Sequence, residues 1–145
     1  VEPSAGKNVP PPAPSFDKAL YDKKMGQAQD LYQQGKFGRA IVEYSSIGRE
    51  FGDGATDGVH LYWIGRSWGA LKEFQTARQY FIDFIKSYPT SETVPRAKLD
   101  LARVELALGL KETALQRFRR IIQEHPYEDA AEMAKMELKS MGRNL

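Results

Sequence analysis

Residues 59–89 read VHLYWIGRSWGALKEFQTARQYFIDFIKSYP and decide the fold. Apolar residues recur in this stretch at steps of three and four, which places them on one face of a helix. These residues are Leu61, Ile64, Trp68, Leu71, Ala77, Tyr80, Phe81, Phe84 and Ile85. Residues 72–74 interrupt the pattern and Pro89 ends it, so the stretch predicts two amphipathic helices joined by a short turn. Such a hairpin needs similar neighbours, because it cannot bury its apolar surface alone.

The chain supplies such neighbours, because the same pattern recurs with a period of 37 residues. A small residue in each second helix follows this period, and an aromatic residue stands four positions after it. The small residues are Ala40, Ala77 and Ala114, and the aromatic residues are Tyr44, Phe81 and Phe118. Twelve positions before each alanine stands another small residue, namely Ala28, Gly65 and Ala102. A fixed period with small and aromatic residues at constant positions predicts an array of helical hairpins.

The second and third hairpins resemble the tetratricopeptide repeat. The residues that carry the resemblance are Ile64-Gly65, Ala77, Phe81 and Pro89 in one hairpin, and Leu101-Ala102, Ala114, Phe118 and Pro126 in the other. The first hairpin departs from the family pattern at Gln27 and Gly52, and the third has Glu105 in place of the usual aromatic residue. The resemblance implies an all-α fold, a right-handed superhelix of three hairpins with a C-terminal capping helix.

The expected organisation is a proline-rich tail followed by one domain. The tail covers residues 1–14 and the repeat domain covers residues 15–142. The predicted boundaries within this domain are about 16–52, 59–89 and 95–126 for the repeats and 127–142 for the cap. Because the chain begins with Val1 rather than Met, we expect that a leader or an upstream region has been removed.

The linker YPTSETVPRA at residues 88–97 is similar to that of an envelope subgroup of these repeat proteins. The subgroup includes the periplasmic coordinator of the Tol-Pal system and the repeat lipoprotein of the outer-membrane barrel-assembly machine. A proline-rich stretch before the repeats is also in character for the first of these. The resemblance implies a periplasmic or cell-envelope location.

The composition describes a globular protein and excludes several function classes. The 145 residues are 41% hydrophobic and 28% charged, and the net charge is only +2. The absence of cysteine excludes disulfides and thiolate metal sites. No apolar run reaches the length that a membrane span needs. The basic residues Arg117, Arg119 and Arg120 are interpreted as a solvated outer face, so no nucleic-acid partner is predicted. Membrane insertion, a metal and a cofactor are not predicted either.

The first helix of each hairpin lines the concave groove of such an array. The repeat register predicts that the lining consists of Met25, Gln29, Tyr32, Gln33, Val59, Tyr62, Trp63, Arg66, Ala70, Arg96, Leu99, Arg103 and Leu106, with Met136 and Ser140 from the cap. Six of these form the candidate peptide-binding site: Tyr32, Tyr62, Trp63, Arg66, Leu99 and Arg103. The aromatic side chains of this site could pack against an extended proline-containing segment, and its arginines could bind carboxylates. The leading hypothesis is therefore a non-enzymatic scaffold that binds such a protein segment.

The sequence leaves several alternatives open. The tyrosines could pack between repeats while the arginines pair with Asp100 or Glu105. The ligand could be the chain's own tail, in cis or from a second molecule, through Pro10, Pro11, Pro12 and Pro14. The array could instead be a structural assembly adaptor of the envelope that binds through another surface.

A serine hydrolase is the most distant alternative. Residues 65–69 read GRSWG, which matches the G-x-S-x-G pattern of a nucleophile elbow around Ser67, and Asp83 or Asp100 and His125 follow in the order of that triad. Such an elbow requires a sheet behind it, and the sequence offers no further strand.

Overall fold

The structure is a computed structural model that describes residues 15–52 and 54–143. Within these residues the chain forms seven α-helices and no strand. The helices are α1 Lys18–Gln33, α2 Phe37–Phe51, α3 Val59–Ala70, α4 Phe74–Ser87, α5 Val94–Ala107, α6 Lys111–Glu124 and α7 Asp129–Ser140. Three hairpins, α1–α2, α3–α4 and α5–α6, are followed by α7. This arrangement confirms the predicted helical superhelix with a C-terminal helix, whereas the tail of residues 1–14 lies outside the described residues.

The three hairpin turns have the same local geometry, one period apart. Gly35, Lys72 and Gly109 have φ angles of +77°, +62° and +83°, which lie in the left-handed region. After each of these residues, a backbone N–H bonds a carbonyl five residues earlier, as in Lys36 N to Leu31 O at 2.9 Å. This bond satisfies a carbonyl that the end of the helix leaves without a partner. The 37-residue register therefore has a structural basis in identical turns.

The helices form two layers. Each helix packs against the next along the chain, and in addition α3 packs against α5 and α5 against α7. Helices α3, α5 and α7 therefore form one continuous layer, and in a helical repeat array the layer of first helices is expected to line the concave side. Helices α4 and α6 lie in the other layer and cover the first from outside.

The core consists of three clusters that follow one another along the array. Each contains the alanine and the aromatic residue of one repeat, and both are completely or almost completely buried. These pairs are Ala40 with Tyr44, Ala77 with Phe81, and Ala114 with Phe118. A core divided in this way is expected when each hairpin contacts only its neighbours.

Candidate functional site: the concave surface

Two adjoining depressions lie on the concave layer. The first has a volume of about 180 Å³ and is lined by Tyr32, Arg66, Gly69, Ala70, Phe74, Phe81, Asp100, Arg103 and Val104. The second has a volume of about 340 Å³ and is lined by Arg103, Met133, Met136, Glu137 and Ser140. The two depressions share Arg103, and together we call them the concave surface. Six predicted lining residues lie here: Tyr32, Arg66, Ala70, Arg103, Met136 and Ser140.

Three arginines surround the carboxylate of Asp100 at the centre of this surface. The nearest nitrogen–oxygen distances from Asp100 are 3.8 Å to Arg66, 3.9 Å to Arg96 and 3.8 Å to Arg103. These distances permit Coulomb attraction but are too long for hydrogen bonds. Asp100 therefore holds the guanidinium groups together without occupying their N–H donors.

A second carboxylate, Glu137 on α7, lies at the edge of the cluster. It accepts a hydrogen bond of 2.7 Å from Nε of Arg103. The cluster thus contains three guanidinium groups and two carboxylates, a surplus of one positive charge. The alternative in which the arginines pair with Asp100 is realised, but this pairing does not neutralise the surface.

Asp100 takes its direct hydrogen bond from a tyrosine. The Tyr62 hydroxyl donates to Oδ2 of Asp100 at 2.6 Å. Burial and the neighbouring Asp100 carboxylate both raise the pKa of the Tyr62 hydroxyl, so the group stays protonated and remains a donor at neutral pH. Tyr62 therefore helps to position Asp100 between the arginines.

The predicted contact among the three aromatic residues is present, but it lies largely inside the protein. The ring of Trp63 is 5.4 Å from the rings of both Tyr32 and Tyr62, and it stacks on Tyr44 at 6.1 Å. The Arg66 guanidinium lies over the rings of Trp63 and Tyr32 at 5.1 and 5.4 Å. Because Trp63 packs against the core clusters of the first two hairpins, its main role here is to join them.

The repeat register predicted that two further site residues lie on the surface, but the structure buries both. We call this prediction from the register the projection. Leu99 is 0% exposed and packs in the core cluster of α6 and α7. Tyr62 is only 3% exposed because its ring packs against Phe81 and Phe84 of α4. The projection failed because neighbouring helices cover each side of an inner helix and leave only a narrow exposed stripe. Neither side chain can therefore form a surface on which a peptide docks.

The projection also missed residues that the structure brings to the surface. Phe74 and Glu137 line the depressions, although one begins an outer helix and the other belongs to the cap. A signal for Asp100 was present in the sequence, since it stands four residues after Arg96 and three before Arg103. The positions of Phe74 and Glu137 depend on how α4 and α7 pack, so the sequence alone does not predict that they line the depressions.

Trp63→Ala should reduce stability rather than provide a clean test of binding. Removing a half-buried indole that contacts three aromatic rings should lower the free energy of unfolding by about 2 kcal/mol. Urea denaturation followed by far-UV circular dichroism measures this change. Trp63→Phe, which retains a ring, should lose less than half as much, and equal losses would contradict this packing role.

The structure does not support the nucleophile elbow. Ser67 lies inside α3 and is 0% exposed, and its hydroxyl donates to the Trp63 carbonyl oxygen at 2.8 Å. A nucleophile elbow places its serine on an exposed turn between a strand and a helix. Ser67 has neither the turn nor the exposure, so the hydrolase alternative has no geometric basis here.

A comparison with known families matches residues 61–91 and 96–126 to the tetratricopeptide repeat. These two segments are tetratricopeptide repeats. They correspond to most of the α3–α4 and α5–α6 hairpins, whose concave face carries the arginine cluster. Tetratricopeptide repeats bind protein partners, so these two segments suggest a scaffold for protein–protein interaction. A search of curated proteins finds no match to the chain.

The described part of the chain has neither a membrane-spanning helix nor a cluster of metal-ligating side chains. None of the helices there is both long enough and apolar enough to span a bilayer. No group of three or more His, Asp or Glu side chains there has the arrangement of a metal site.

Proposed function

We propose that the concave surface binds an extended, carboxylate-bearing segment of a partner protein, with prolines that hold the segment extended. The observation that supports this most directly is the surplus positive charge around Asp100. Arg66 and Arg103 both line the first depression and have donors that Asp100 leaves unoccupied. A guanidinium group binds a carboxylate through paired N–H donors, which neutral side chains cannot match.

The shape of the surface supports an extended ligand. The two depressions are shallow and continuous through Arg103, so a strand-like or polyproline II segment could contact both. Tyr32 and Phe74 offer apolar contacts for prolines beside the arginines. A segment that is already extended loses little conformational entropy when it docks.

Ala70→Glu should abolish most of this binding without disturbing the core. Ala70 is exposed and lines the first depression beside the arginines. A glutamate there would repel an acidic ligand and compete for the guanidinium groups, so affinity for a fluorescent peptide PPEPPEPP should fall about tenfold. Fluorescence anisotropy at low salt measures the change.

The matched control is Ala19→Glu, an equally drastic change at an exposed position in the first turn of α1. It should change the affinity less than about twofold, and the basic peptide PPKPPKPP should bind neither protein. If Ala19→Glu weakens binding as much as Ala70→Glu, the net charge of the protein governs binding and the concave surface does not.

The chain's own tail is an alternative ligand, one that relies on prolines alone. The segment PPPAP contains Pro10, Pro11, Pro12 and Pro14 and would supply the prolines without the carboxylates. Sedimentation velocity across concentration, with the natural chain and a chain in which these four prolines are serines, tests self-association. Association that disappears in the serine variant supports the tail as a ligand in trans. Two monomers, together with unchanged affinity for PPEPPEPP, would exclude the tail as an occupant.

The proposed setting is the cell envelope, and its support is the similarity of the 88–97 linker and the proline-rich tail to the envelope subgroup. The rival role is a structural assembly adaptor of the envelope that binds through another surface. Cross-linking in cells from a photoreactive amino acid at position 70 separates the two roles. Adducts at this position support the concave surface, whereas adducts only from outer helices favour the adaptor.

A further inference from the structure

A groove on the outer layer has a composition that the function of the concave surface does not explain. It runs between α4 and α6, over α5, and has a volume of about 390 Å³. Its lining consists of Ile82, Ile85, Lys86, Lys98, Leu101, Arg117, Arg120, Ile121 and Glu124, which we call the outer groove. The partly exposed Ile82 and Ile85 form its accessible apolar floor, with the buried Leu101 and Ile121 beneath them, and the charged residues form its rim.

The repeat register shows how this groove differs from the preceding interval. In the preceding interval, between α2 and α4, Trp68 and Tyr80 pack against the core cluster of the first hairpin. One period later their positions are occupied by Glu105 and Arg117. The Arg117 guanidinium donates to the buried Glu105 carboxylate and is held by it. An ion pair thus replaces two large aromatic side chains, and its Arg117 member lines the outer groove.

The rim of the outer groove is cationic. Lys98 donates to Glu124 at 2.9 Å, and Arg120 lies 3.7 Å from the same carboxylate. Glu124 thus forms ion pairs with two cations at once. Lys86 has no carboxylate within ion-pair distance in the part of the chain that the structure describes. With Arg117 paired to Glu105, four cations face two carboxylates, so the rim retains positive charge.

An apolar floor with a cationic rim is complementary to one kind of surface. A ligand must present apolar side chains to the isoleucines and carboxylates to the basic residues on either side. An amphipathic helix with an acidic polar face presents both at once. The flanking helices α4 and α6 have 14 residues each, about 21 Å, which matches a ligand of about four helical turns.

We propose that the outer groove binds an acidic amphipathic helix of a partner protein. The apolar side of this helix covers the partly exposed Ile82 and Ile85, and its carboxylates lie against Lys86 and Arg120. The scaffold then has two binding surfaces on opposite layers, one for an extended acidic segment and one for an acidic helix. The outer site does not depend on the function proposed for the concave surface.

The test uses the full chain and a labelled 14-residue peptide with leucines on one helical face and glutamates on the other. Lys86 and Arg120 are exposed, and the Arg120 side chain is 73% exposed, so reversing both charges should leave the fold intact. Lys86→Glu/Arg120→Glu should weaken binding of the peptide at least tenfold. The matched control, Lys111→Glu/Arg119→Glu, changes two exposed α6 residues outside the groove and should have less than a twofold effect.

Two further measurements test the chemistry of the ligand and the separation of the sites. A peptide with serines in place of the leucines should bind at least tenfold more weakly than the leucine peptide. Ala70→Glu, which disrupts the concave surface, should leave binding of the leucine peptide unchanged.

Each other outcome would overturn the proposal. No binding of the leucine peptide, equal binding of the serine peptide, or equal losses in the two charge-reversal variants would show that the outer groove is not the site. If the natural chain self-associates and Lys86→Glu/Arg120→Glu makes it monomeric, a second copy occupies the groove instead. Binding of phosphatidylglycerol vesicles without binding of the peptide would identify the surface as one for anionic membranes.

Discussion

Arg78→Met/Arg117→Met should lose about 4 kcal/mol of unfolding free energy, because it leaves Glu105 buried without a cation. The Glu105 side chain is 0% exposed. It accepts hydrogen bonds from Arg117, and from Nη2 of Arg78 at 3.3 Å. These contacts join α4, α5 and α6 through one carboxylate. Urea denaturation at neutral pH, followed by far-UV circular dichroism, measures the loss.

A rescue variant distinguishes the buried charge from the loss of the arginine side chains. Adding Glu105→Leu to the double variant removes the charge and retains the volume, so most of the lost stability should return. The control Arg119→Met/Arg120→Met alters two exposed arginines of α6 and should cost less than about 0.5 kcal/mol. If the triple variant is no more stable than the double variant, the arginine stems and not the charge account for the loss.

Gly58→Ala should destabilise the protein by about 3 kcal/mol. Gly58 precedes α3 with a φ angle of +67°, in the left-handed region, which costs an alanine about 1–2 kcal/mol. A Cβ atom at this position would also lie 2.3 Å from the Tyr88 ring. Overpacking of this kind adds about 1–3 kcal/mol. Thermal and urea denaturation should both show the combined loss.

Gly35→Ala provides the matched control for the backbone contribution. Gly35 has a similar φ angle of +77°, but a Cβ atom at this position would have no neighbouring atom within 4 Å. This substitution should therefore cost only about 1 kcal/mol, the backbone contribution alone. Adding Tyr88→Leu to Gly58→Ala should recover part of the additional loss. Equal effects of Gly58→Ala and Gly35→Ala would show that the approach of Tyr88 carries no strain.

The stability of the third repeat and the chemistry of its outer surface are linked. Glu105 stands where a tetratricopeptide repeat usually has an aromatic residue, and its equivalent one repeat earlier is Trp68. The ion pair with Arg117 joins α5 and α6, and Arg117 also lines the outer groove. The interpretation of Arg117 as part of a solvated outer face was therefore wrong, because its guanidinium is bound to a buried carboxylate. The exposed Arg119 and Arg120 do fit that interpretation.

The concave surface could be predicted only in part. The 37-residue spacing predicted that Arg66 and Arg103 lie on one surface, because equivalent positions of successive repeats face the same way. The same spacing assigned Tyr62 and Leu99 to the surface, yet both are buried. A projection treats each helix as an isolated cylinder, whereas the burial of a side chain depends on how closely the adjoining helices approach it.

The sequence by itself determined the all-α fold, the 37-residue register and the turns at Gly35 and Gly109. These features follow from local chemistry, because apolar spacing, helix propensity and left-handed glycines act over a few residues. Only the tertiary structure decided that three arginines surround Asp100 and that two others pair with Glu105. Both clusters bring together side chains from different helices, and the free energy of a buried charge depends on every group packed around it.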